Sequence, residues 1–158
     1  MSTKDIELTT AEVVNLVSFF NQEIEDQKEN ENAFLNSLPN LVLWKLHQNV
    51  KNLMSTYQEF ESMRGSIQND LQIKWFDEEH SEQVEGEEED VLQIKEEYIE
   101  AYQKAVAEAN QKLNEILMDK TTYKIQTIDM DTEIEKNIDK INPKDFEKID
   151  MLMFMNEQ

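Results

Sequence analysis

The sequence predicts a mainly α fold of the α+β kind: a long antiparallel helical hairpin on a small base holding a short two-stranded sheet and short helices. Three observations lead there. Glycine and proline number two each in 158 residues, so breakers are scarce and long helices are expected. Apolar residues recur every three or four positions over two long stretches. Between those stretches the chain is almost wholly polar and acidic. One domain over 1–158 is expected, with the hairpin at about 39–118, an acidic tip at 77–90, and a base from 1–38 and 119–158.

The elements follow in order. "DIEL" (5–8) alternates and reads as a short strand. Thr9 is then an N-cap, with Glu12 completing a capping box, and Val13, Val14, Leu16, Val17, Phe20 and Ile24 give a helix over 10–28 its apolar face. Ser37 and Pro39 open the next helix, expected over 39–73, because proline is tolerated in a first turn. Its seam runs Val42, Leu46, Val50, Leu53, Tyr57, Phe60, Ile67 and Leu71, and Arg64 falls at the one missing step. Gly65 follows it, so a kink or a polar contact from Arg64 to the other long helix is expected there.

The second seam, Val91, Ile94, Tyr98, Tyr102 (or Ala101), Ala105, Ala109, Leu113 and Ile116, predicts a helix over 89–118. Each long helix would extend on the order of 45–50 Å, so the pair is expected to project as a rod. "TYKIQTIDM" (122–130) reads as a strand able to pair with "DIEL". "DTEIEKNIDKI" gives a short helix through Ile134, Ile138 and Ile141. A last one starts at Asn142 as cap and Pro143 as first residue, with Phe146, Ile149 and Leu152 facing inward.

Charge bounds the function classes. Thirty-five acids against fifteen basic residues give −20, and Arg64 is the only arginine, so a phosphate-tracking cationic groove is not expected and neither is direct nucleic-acid binding. The absence of cysteine excludes disulfides, thiolate nucleophiles and Cys-based zinc sites, and suits a reducing compartment. "MSTKDIELTT" carries no apolar signal core, and the longest apolar run is "MLMFM", so the chain reads as soluble and unsecreted, with no membrane span.

The segment that draws attention is 77–90. Asp77, Glu78, Glu79, Glu82, Glu85, Glu87, Glu88, Glu89 and Asp90 make nine acids in fourteen positions. Two readings stand: a solvated helix-to-helix connection that keeps the hairpin soluble, or an acidic hook for a basic partner surface. An EF-hand is not expected. "DMDTEIEKNIDK" (129–140) has Ile134 where the turn glycine belongs and Lys140 where the bidentate glutamate belongs. His47 and His80 stand apart, belong to no metal or triad motif, and read as surface residues. Trp44, Trp75, Tyr98 and Tyr102 read as packing residues at helical spacing before they read as a binding box. No catalytic residue, metal site or cofactor is expected, and the protein reads as a non-enzyme.

The layout of "IELTTAEVVNLVSFF", "LVLWKLHQNVKNL", a second long helix, "YKIQTI" and "INPKDFEKIDMLMF" resembles a family of small, functionally uncharacterised helical proteins encoded by tailed phages and prophages. That resemblance implies a phage accessory or virion-associated protein, found in the host cytoplasm or incorporated in the particle, and it transfers no catalytic residues. Together with the charge pattern it leads to protein–protein interaction through the acidic hairpin. The partner would be another phage protein or any protein with a basic surface, and the long seams leave room for a homo-oligomer. The alternative is an acidic nucleic-acid mimic that blocks a host DNA- or RNA-binding defence protein.

Overall fold

A computed structural model describes residues 2–157. The fold is mainly α with small antiparallel sheets, the class the sequence predicts. The chain divides into two compact units. One runs to Gln58 and resumes at Asp119; the other is Glu59–Met118. Residues 40–58 of the first long helix, expected in the hairpin, therefore belong with the base.

In the first unit, β1 (Thr3–Thr9) pairs antiparallel with β4 (Lys120–Gln126), from Thr3↔Gln126 to Thr9↔Lys120. β4 starts two residues before the predicted strand and stops four short of its end. The chain enters α1 (Thr10–Glu29) through the predicted capping box: Thr9 accepts from the Glu12 amide, and Glu12 reaches back to the Thr9 amide. A 3-10 turn at Phe34–Ser37, absent from the sequence reading, buries Phe34 and Leu35 and leads to α2 (Asn40–Trp75).

Val13, Val17, Phe20, Val42, Leu46 and Leu53 bury completely against Ile125, Ile128, Leu152 and Met155 in one core. Each such side chain contributes roughly 1.5–3 kcal/mol by leaving water. The free edge of β4 is covered by amide side chains of α2. Asn49 accepts from the Gln126 amide (2.7 Å) and donates to its carbonyl (2.9 Å), while Asn52 donates to the Lys124 carbonyl (3.0 Å). Asn49 thus stands in for a neighbouring strand at an edge that would otherwise invite pairing.

The C-terminal helices are shorter and tighter than predicted. Residues 130–140 form a π turn (Met130–Ile134) followed by a 3-10 turn (Glu135–Lys140), with Ile134 buried but Ile138 exposed. Asn142 caps and Pro143 leads the last segment as expected, through α4 (Phe146–Ile149) into a 3-10 turn at Asp150–Met155. Phe146 is exposed rather than inward; Leu152 and Met155 carry the packing. Three ion pairs with a buried member tie this unit together: Lys45 to Glu133 (3.0 Å), and Lys148 to Glu23 (3.0 Å) and to Asp145 (3.3 Å).

In the second unit, α2 runs through Arg64 and Gly65 without interruption, so the expected kink is absent. A Cβ at Gly65 would meet open space. The largest correction concerns residues 81–98. The helix predicted over 89–118 starts at Ile99, as α3 (Ile99–Met118). Ahead of it lie β2 (Ser81–Val84) and β3 (Val91–Ile94), paired antiparallel, and a 3-10 turn at Glu96–Tyr98. The spacing Val91–Ile94–Tyr98 fits a helix, yet Val84↔Val91 and Ser81↔Ile94 satisfy the same apolar residues as cross-strand pairs.

Candidate functional site

The acidic segment starts where α2 ends. Asp77 caps a tight turn: its carboxylate accepts from the His80 amide (2.9 Å) and faces His80 Nδ1 (2.8 Å). A carboxylate only accepts, so Nδ1 carries the proton. Hydrogen bonding to the His80 amide, then to its ring, holds the Asp77 carboxyl below the usual range. The Asp77 carbonyl accepts from the Ser81 amide (3.1 Å), and the Lys95 amide donates to the His80 carbonyl (2.9 Å), which closes the base of the β2–β3 hairpin.

Under that hairpin lies an aromatic cluster. His80 stacks edge-on against Trp75 (5.1 Å) and Tyr98 (4.6 Å), and Tyr102 meets Trp75 (6.0 Å) and Phe76 (5.9 Å). Trp75, Tyr98 and Tyr102 come together as packing residues, whereas Trp44 lies in the first unit and is exposed. His80 is half-buried here, not the surface residue the sequence suggests; His47 is exposed. Burial raises the Tyr98 pKa, with the charges of Glu97, Glu79 and Asp77 adding to it. The cluster was missed because Phe76 and His80 lie outside both helical seams. It forms only because the chain turns at Asp77.

Beyond the turn the acids are open to solvent. Asp77, Glu78, Glu79, Glu82, Glu85, Glu87, Glu88, Glu89 and Asp90 are all exposed, and the last five lie in the loop joining β2 to β3. The structure brings the nine predicted residues onto one turn and one β-hairpin. Gly86 is required there, since a Cβ would run into the Glu89 carbonyl. That glycine between "EQV" and "VLQI" was the available signal for a hairpin. Arg64 pairs with Glu61, three residues earlier on α2; this pair does not supply the interhelical contact expected of it.

Among the described residues, Asp77, Glu79 and His80 form a trio whose ligand atoms lie within 4.8 Å of one another. Asp77 and His80 are already engaged with each other in the turn. In the same unit a groove of about 190 Å³ lies between Ile67, Leu71 and Trp75 of α2 and Ala105 and Ala109 of α3. An open hollow of about 470 Å³ is lined by Glu82, Lys95, Glu96 and Glu97. The first unit has a polar cleft of about 430 Å³ whose lining includes Glu31, Asn36, Asp139 and Asn142. Asp145 also lines it, with its carboxylate paired to Lys148. Among the described residues no helix is long and apolar enough to cross a membrane.

Compared with known proteins, the chain matches no family model, no curated protein and no solved structure, so the turn and hairpin stand as its candidate site on their own geometry.

Proposed function

We propose that this chain is a non-enzymatic, phage-encoded accessory or virion-associated protein that acts by protein–protein interaction, offering its acidic hairpin to a partner with a basic surface. The observation that carries the interaction is the concentration of charge: nine exposed acids on one turn and one short hairpin, with no basic residue between Lys74 and Lys95 other than His80. Charge gathered in this way steers a basic partner at long range and sets specificity more than affinity. The phage assignment rests on the resemblance alone, and with it the host cytoplasm or the particle as location. Bunching at one hairpin supports the hook over the nucleic-acid mimic, which needs acids spread at phosphate-like intervals.

The test replaces Glu85, Glu87, Glu88 and Glu89 by glutamine and Asp90 by asparagine in the full chain. All five are solvent-exposed, so the fold is expected to survive, as far-UV dichroism would show. Crosslinking in phage-producing cells, followed by mass spectrometry, is expected to recover a basic partner with the natural chain. The neutralised variant, or salt raised to about 0.5 M, should lose it. Equal recovery from both chains would overturn the proposal.

A further inference from the structure

We infer that the partner docks by strand addition: an extended segment of alternating basic and apolar residues lies along the free edge of β3. The inference rests on the proposal that the acidic hairpin is a binding surface, and it specifies the mode of binding. Among the described residues β2 and β3 form a sheet of two strands, so each has one edge without a neighbouring strand. The Lys95 amide bond to the His80 carbonyl sets the phase of the ladder. Pairs 80/95, 82/93 and 84/91 turn their amides and carbonyls toward each other. Ser81 and Gln83 of β2, and Leu92 and Ile94 of β3, therefore turn theirs outward.

The two edges are not equivalent. On β2 the Ser81 amide is already taken by the Asp77 carbonyl (3.1 Å), leaving Gln83. β3 offers Leu92, with Ile94 beyond it only 6% exposed. It also carries half-exposed apolar side chains, Val91 48% and Leu92 47% exposed on opposite faces of the strand. An added strand would set its alternate side chains beside each of them while its backbone completes the ladder.

Charge selects the occupant. β3 is bounded by Glu87, Glu88, Glu89 and Asp90 on one side and by Glu96 and Glu97 on the other. A second copy of this chain would bring nine acids against nine, so the same charges that attract a lysine-bearing strand act against self-pairing.

The probe is a short peptide of alternating lysine and valine, titrated into the full chain while amide exchange is followed residue by residue. A second peptide of the same sequence carries N-methyl groups on the residues whose amides would face β3. It keeps charge and side chains but cannot form the ladder. The expected result is slowing of Leu92 amide exchange by about tenfold or more near saturation, with the first peptide only. Binding of both peptides without protection of the Leu92 amide would overturn strand addition and leave the acidic hook standing. Failure of both to bind at low salt would overturn the hook as well.

Discussion

The two units are built on opposite terms. Among the described residues 24 hydrophobic ones are buried: 20 lie in the unit made from the two ends of the chain, and only Phe60, Trp75, Ile94 and Ala109 lie in Glu59–Met118. Charge runs the other way. Glu59–Met118 holds 17 acids and 5 basic residues, a net −12 of the chain's −20. The first unit also pairs its buried charges, Glu23 and Asp145 with Lys148 and Lys45 with Glu133, whereas the hairpin acids stand in water. Burial holds the first unit together. The second keeps a thin apolar seam and presents charge.

The largest expected effect tests that contrast directly. Phe20 is fully buried and packs edge-on against Phe19 at 5.0 Å. Phe20→Ala should cost about 3–5 kcal/mol in urea unfolding, and Phe60→Ala, at a residue outside the main core cluster, no more than about the lower end of that range. Equal losses would erase the distinction. Next comes Asn49→Ala, which leaves the Gln126 amide and carbonyl unpaired in a buried place and should cost about 2–3 kcal/mol. Gly65→Ala should stabilise by about 0.5–1 kcal/mol, since the site is helical and open.

The smallest effects are pH-dependent and differ in sign between the units. Burial alone would lower the Lys148 pKa, but Glu23 and Asp145 outweigh it and the net shift is upward. Its pairs therefore stabilise fully below the unfolded lysine value of about 10.4 and fade as pH rises through the higher folded one. Lys148→Met should flatten that alkaline loss. Asp77 is lowered, so its cap contributes above the unfolded value of about 3.9 and fades as pH falls through the folded one. The His80 amide should report this acid titration by NMR, and Asp77→Asn should abolish it.

Much of the first unit was legible in the sequence because its signals are local. Thr9 and Glu12 announce a cap, Asn142 and Pro143 another, and the apolar period of α2 runs where expected. β1 and β4 pair as read. What escaped depends on groups distant in sequence: the Asn49 clamp on Gln126 has no local signature, and neither does the Lys148 pairing with Glu23. In the second unit the failure was one of period. Val91 and Ile94 satisfy helical spacing and strand pairing equally well over so short a run. Only Gly86, in a turn that admits no Cβ, separates the two. The nine acids were legible as residues, but their placement on a β-hairpin with an open edge was not.

The measurement closest to the central claim is a residue-resolved map of amide shifts as the lysine–valine peptide is added to the whole chain. Shifts confined to residues 77–97, lost at about 0.5 M salt and in the variant neutralised at 85 and 87–90, are the predicted result. A map that spreads over the first unit, or one that survives neutralisation of the loop, would contradict it.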